Sequence, residues 1–240
     1  MMRATDFEFR NRWWIFALIY GLPFFLLLVD NVPIGSRIAD RIAAGVPMEE
    51  DDALRIVFGV AALLMLLAVL FRMWGSAYLG QAVVHDHVVH SEALHADGPY
   101  RHVRNPLYFG NVLMALALSL FLPLIGFPIV LIAIPVFCYR LIGREEAALS
   151  AQQGVSYQNF LDAVPRMFPS VIARIPASGK KPDWTSSFGA EAFFISFFLG
   201  IAAFALTLNI YCVYAGFAAS PLLGWLARLL TRKHEAAASH

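Results

Sequence analysis

The chain has 240 residues, 59% of them hydrophobic and 15% charged, with a mean hydropathy of +0.64. Soluble domains carry roughly a quarter charged residues, so the composition reads as an all-α integral membrane protein and argues against a soluble one. A net charge of +1 supplies no basic face for nucleic acid, and Cys138 and Cys212 lie inside apolar runs, where neither a disulfide framework nor a Cys-rich metal site is indicated.

About 20 apolar residues cross a bilayer, and run length predicts about five spans. The first covers residues 13–29, with a kink near Gly21-Leu22-Pro23. It ends at Asp30 without a small-residue cleavage pattern and reads as a retained helix. Ile34, Ile38, Ile42 and Val46 then repeat every four residues, which suits a short helix lying on the interface. The second span covers residues 54–74, the third 107–123 and the fourth 126–141. The stretch Pro123-Leu124-Ile125-Gly126-Phe127-Pro128 turns the last two into a hairpin. Ala192 to Ala227 contains no charged residue. It reads as one span over 190–216, with an interfacial helix following Ser220-Pro221. The expected division is an N-terminal span pair (1–69), a catalytic region with the hairpin (70–170), and a linker with a last span and tail (171–240).

Lys and Arg placement sets orientation. With the N-terminus inside, twelve fall on the cytoplasmic side and six outside, including Arg228, Arg232 and Lys233 of the tail. That basic tail sits on the wrong side for the bias, and a second crossing in the final run would remove the conflict.

Chemistry concentrates between Gly75 and Asn105 and just after the fourth span. His85, His87, His90, His95 and His102 fall in the first region. His85-Asp86-His87 followed by His90 could present imidazoles to a metal, but seven histidines in all are too few for repeated histidine boxes, and no metal is expected. Gly98-Pro99-Tyr100 is a turn signal. Asn105-Pro106 reads as a helix cap and first turn. A capped helix leaves Arg101, Arg104 and Tyr108 unexplained at the same end, where two guanidinium groups and a helix N-terminus favour an anion. Glu145 and Glu146 sit at a helix end that favours cations, so a cationic ligand or neighbouring arginines must offset them. A ligand with an amino-acid zwitterion and a cationic centre suits both feet of the hairpin.

The run Gly98-Pro99-Tyr100-Arg101-His102-Val103-Arg104-Asn105-Pro106-Leu107-Tyr108 resembles the signature of the isoprenylcysteine carboxyl methyltransferase and phospholipid methyltransferase group of membrane enzymes. So does Arg144-Glu145-Glu146-Ala147-Ala148-Leu149 followed by Tyr157, Phe160, Val164-Pro165-Arg166 and Pro169. The resemblance spans about residues 70–169. Prenylcysteine enzymes usually carry His where this chain has Asn105, which weakens the inference to prenylated substrates.

The resemblance implies methyl transfer from S-adenosylmethionine to a lipophilic acceptor, a prenylcysteine-like carboxylate or a lipid headgroup. The acceptor would enter from the bilayer, and the site would face the cytoplasm from a bacterial inner membrane. It implies that Tyr100, Arg104, Asn105, Pro106 and Tyr108 line the cofactor. Glu145 and Glu146 would sit near its polar groups, and His95 to Gly98 near its adenine or ribose. Arg140 and Arg166 are candidates to steer an acceptor carboxylate, and Glu146 is a candidate catalytic group. Two other readings stand beside it: a sterol-type reductase using NADPH, and a non-catalytic carrier or assembly protein.

Overall fold

The computed structural model describes residues 2–79 and 97–238, with side chains described through residue 226. Among these residues every regular element is a helix, and one isolated backbone bridge joins Pro33 and Pro123. Helix α1 (Asp6–Arg10) opens on a capping box. The Thr5 side chain accepts from the Glu8 N–H, and Glu8 accepts from the Thr5 N–H. Helix α2 (Arg12–Gly21) tightens into a 3₁₀ helix at Leu22–Leu28, where Pro23 falls in the first turn. The kink expected near Gly21-Leu22-Pro23 is this change of helix type.

Helix α4 (Glu50–Leu79) is the hub; α3 (Ile34–Gly45), α5 (Pro106–Ser119) and α8 (Trp184–Thr207) pack on it. Glu50, Asp51 and Asp52 fill its first turn, where the helix dipole favours acids. Ala53, Val57, Ala61, Met65, Ala68 and Arg72 are buried along one face, while Ile56, Val60, Leu63, Leu67 and Leu70 are exposed on another. An exposed aliphatic stripe of that length suits contact with lipid. On α3 the inward face is small, with Gly35 and Ala39 buried. Ile38 and Val46 of the isoleucine–valine stripe stay exposed.

Helix α5 is shorter than its apolar run. Ser119 Oγ donates to Leu116 O at 2.8 Å, and the chain leaves the helix at Leu120. There the carbonyls of Leu120 and Leu122 accept from Gly35 N–H (2.9 Å) and Ile34 N–H (2.7 Å). The run's last residues therefore serve the start of α3 rather than a longer span. Helix α6 (Gly126–Gln153) instead outlasts its apolar run by three turns and stops at Gly154. Helix α7 (Val155–Ala163) follows.

The final run folds differently from the single span expected. Helix α8 ends at Leu208, which takes a left-handed backbone (φ +55°). Helix α9 (Tyr211–Ala238) then runs back antiparallel along α8. Gly200 and Gly216 meet at the crossing: a Cβ on Gly216 would fall 2.8 Å from the Gly200 Cα. Ser196 Oγ donates to Gly216 O at 2.6 Å, and Phe193 and Phe197 both meet Phe217 edge-on. Small residues allow this close approach of apolar helices. Pro221 lies inside α9 and does not begin a separate interfacial helix.

The return of α9 carries residues 228–233 toward the end where α8 begins. Fifteen of the 18 Lys and Arg then belong to one end of the bundle, leaving Arg37, Arg41 and Arg55 at the other. The antiparallel return is in the direction that would relieve the charge conflict; its apolar part, Tyr211–Leu226, is shorter than a qualifying span. By length and composition α4, α6 and α8 qualify as membrane spans. The other two of the five expected spans, Arg12–Leu28 and α5, are apolar but shorter.

Candidate active site

One end of the bundle gathers the C-terminus of α4, the loop before α5, the foot of α6 and the segment from Val164 to Asp183. Gly98 has φ +55°, and a Cβ there would fall 2.2 Å from the Tyr78 ring; the position needs glycine both for backbone and for space. Pro99 is buried, and the Tyr100 hydroxyl points to Gly75 O at 3.5 Å. Burial pushes the Tyr100 hydroxyl pKa well up, and the charges of Glu145 and Glu191 add to it.

The segment after α7 is hydrogen-bonded along this loop. Arg104 N–H donates to Pro165 O (2.8 Å) and Ser170 N–H to His102 O (2.9 Å). Arg174 N–H donates to Arg101 O (2.8 Å), and the Arg101 guanidinium returns to Ile175 O (2.9 Å). The strap ends on Asp97, which is buried. Its carboxylate accepts from Ser178 N–H (2.8 Å), Ser178 Oγ (2.6 Å) and Lys180 N–H (2.7 Å). The Ser178 hydroxyl, more than the backbone N–H groups, holds the Asp97 carboxyl below its ordinary range.

The two feet of the hairpin meet here. Tyr108 Oη donates to Glu145 Oε1 at 2.8 Å. Glu146, only 5% exposed, pairs with Arg104 Nη1 at 3.2 Å and with Arg166 Nη2 at 2.5 Å. Because α6 runs on to Gln153, the two acids do not sit at its end as the sequence suggests, and the dipole there no longer opposes them; Glu146 is neutralised by two arginines from other segments. The Arg104 Nε is buried and has no hydrogen-bond partner among the described residues. Burial lowers the Arg104 pKa, against the pull of Glu146. Tyr157, from α7, packs beside the cluster with Phe160 and Val164, and burial pushes its hydroxyl pKa up.

The fold brings together Gly98, Tyr100, Arg104, Asn105, Pro106, Tyr108, Glu145, Glu146 and Arg166. Asn105 takes the N-cap position its sequence suggests, but without the side-chain bond of a cap. Its side chain donates instead to Arg166 O at 2.9 Å. Arg140 stands apart from the cluster: its Nε and Nη2 donate to the two oxygens of Glu8 at 3.0 and 2.7 Å. That pairing holds the Glu8 carboxyl down at about 2, with the Thr5 N–H assisting. Arg144 pairs with Asp6 at 2.6 Å, so the N-terminal arm covers the outer side of the α6 foot. His85, His87, His90 and His95 lie outside the described residues.

Several residues of the assembly have weak sequence signals. Asp97 sits one position before the motif and looks like a turn residue. Arg12, buried against the rings of Phe9 (4.5 Å) and Trp13 (5.9 Å), reads as an ordinary interfacial cation. Arg72 and Glu191 are isolated charges at the ends of apolar runs, the one pattern that could have flagged them.

Against known proteins, the chain matches the family model described as phospholipid methyltransferase over residues 54–152. This is the membrane methyltransferase group that the two motifs resemble. The matched region holds α4 from Leu54 onward, the motif loop, α5 and all but the last residue of α6. It leaves out the N-terminal helices, Arg166, the strap and the α8–α9 hairpin. No curated protein and no solved structure matches.

Proposed function

We propose that this chain, a membrane methyltransferase by the family match of residues 54–152, transfers a methyl group from S-adenosylmethionine to a lipophilic acceptor. The observation that carries the reading is the closure of both hairpin feet into one site, with a buried guanidinium nitrogen of Arg104 left without a partner beside two carboxylates. These groups fit an amino-acid zwitterion carrying a further cation. Arg104 would hold its carboxylate and Glu145 its ammonium, while Gly98, Tyr100, Asn105, Pro106 and Tyr108 would line the remainder. When bound, S-adenosylmethionine supplies an electrophilic methyl group on its sulfonium.

The chain's own part is placement and exclusion of water. The strap over residues 164–180 covers the motif loop, and Glu146 keeps Arg104 and Arg166 in register. Arg166 keeps 26% of its side chain exposed and is suited to meet an acceptor carboxylate. A carboxylate acceptor needs no base; an amine or phenol would need one, with Glu145, Glu146 or a loop histidine as candidates to take its proton. Arg140, tied to Glu8, is a poorer candidate for steering the acceptor. An apolar acceptor tail gains about 0.8 kcal/mol for each buried CH₂, which favours entry from the bilayer. By the positive-inside rule the basic end of the bundle supports a site facing the cytoplasm, in the reading of a bacterial inner-membrane enzyme.

Calorimetric titration of the purified chain with S-adenosylhomocysteine and with NADPH tests the cofactor. Incubation of lipid extracts with labelled S-adenosylmethionine, read by mass spectrometry, then identifies the acceptor. Binding of NADPH without S-adenosylhomocysteine would overturn the assignment.

A further inference from the structure

Arg72 and Glu191 are among the most deeply buried charges of the described residues, 2% and 0% exposed, and the methyl-transfer reading uses neither. Each sits on an apolar helix, α4 or α8, where a charge is costly unless paired and hydrogen-bonded. Arg72 Nε donates to Glu191 Oε2 at 2.6 Å and Nη2 to Oε1 at 3.3 Å. Neutralisation needs only that edge of the guanidinium. The other edge serves α5: Nη1 donates to Asn111 Oδ1 at 2.7 Å and reaches Leu107 O at 3.5 Å. The Arg72 stem lies so close to α5 that a Cβ on Gly110 would fall 2.5 Å from its Cγ. The guanidinium is also held 4.0 Å over the Phe194 ring of α8.

Leu107, Gly110 and Asn111 form the opening turns of α5, the turns that set Tyr108 against Glu145. Glu191 belongs to α8, outside the residues matched by the family model. We infer that Glu191, acting through Arg72, is a positioning residue for the site: it fixes the opening turns of α5, and through them Tyr108, at the foot of α6. What is positioned rests on the methyltransferase reading; the contact itself does not.

Two variants of the full chain test this. Asn111→Ala removes the acceptor on α5 and leaves the Arg72–Glu191 pair intact. The double variant Arg72→Met/Glu191→Leu replaces the pair by an apolar contact, an exchange that folds often tolerate. Three readouts are compared with the native chain: S-adenosylhomocysteine affinity by calorimetry, melting temperature, and amide hydrogen exchange over residues 106–112 and 186–198 without ligand. The expected result for both variants is an affinity about tenfold weaker and faster exchange over 106–112. In Asn111→Ala the melting temperature should fall by a few degrees, since a buried donor of Arg72 loses its acceptor, while the exchange over 186–198 should stay native. Native affinity and native exchange over 106–112 in Asn111→Ala would overturn the inference. So would an Asn111→Ala affinity loss accompanied by equally faster exchange over 186–198, since that marks general loosening rather than a shift of the opening turns of α5. If the double variant does not fold, Asn111→Ala decides. If the native chain does not bind S-adenosylhomocysteine, the cofactor reading fails, and the exchange over 106–112 still decides the positioning.

Discussion

Replacing Glu146 by Gln removes one negative charge from a cluster of two guanidinium groups and leaves the shape nearly unchanged. In the native fold the carboxylate is 5% exposed and holds Arg104 at 3.2 Å and Arg166 at 2.5 Å. Gln keeps one acceptor oxygen and turns an amide donor toward one of the two arginines. Breaking a buried ion pair costs about 3–5 kcal/mol. The Arg166 side chain keeps 26% exposure, so water recovers part of its solvation. The expected loss therefore falls below that range, about 2–3 kcal/mol, close to the value of one charged hydrogen bond left unmade. At about 2–4 °C per kcal/mol for a chain of this size, the melting temperature in detergent should fall by about 4–12 °C. Arg104 would also lose its anchor, and S-adenosylhomocysteine should bind at least about tenfold more weakly, or ~1.4 kcal/mol. Thermal unfolding with calorimetric titration on the same preparation reads both. A melting temperature within about 2 °C of native, together with native affinity, would refute the argument that Glu146 organises the site.

Orientation is testable at Val171, which is 97% exposed on the strap; Ser178 is a poor probe because it is bound to Asp97. In a variant lacking Cys138 and Cys212, a cysteine at 171 should resist an impermeant thiol reagent in intact cells and label after lysis; labelling of intact cells would invert the topology. Glu8 should titrate near 2 by carbon-13 NMR, and Arg140→Gln should return it toward 4.5. Because its folded pKa is depressed, the pair stabilises the arm above the unfolded pKa, and this is lost as pH falls through about 2; a native midpoint near 4.5 would show that the pair does not form. Gly216→Val should pry α9 from α8, since even a Cβ falls 2.8 Å from Gly200 Cα; an unchanged melting temperature would contradict that crossing.

The helical membrane class, the hairpin and the grouping of the candidate residues at its feet were legible in the sequence because each depends on short-range pattern. Apolar run length marks helices. Asn105-Pro106 marks the start of α5, and the two motifs flank one hairpin whose feet must lie at the same end. Arg104, Tyr108, Glu145 and Glu146 could therefore be grouped before any coordinates. Their partners could not. Arg166 against Glu146, Glu8 against Arg140 and Ser178 against Asp97 are matches between segments 20 to 132 positions apart, and no local periodicity encodes them. Asn105 carries a cap's identity and position, yet its amide donates to Arg166 O, a partner 61 positions away that local sequence does not encode. The run from Ala192 to Ala227 contains no charged residue and reads as one span from composition; Thr207-Leu208-Asn209 is too short a polar signal to mark the helix break there. Tertiary packing decided it: Gly200 and Gly216 permit a backbone contact that aligns α8 with α9, and the left-handed turn at Leu208 closes the pair. Arg72 and Glu191 show the same division. Each is visible as a lone charge in an apolar helix, but only the packing of α4, α5 and α8 brings them together, because a buried charge must find its partner across helices rather than along one.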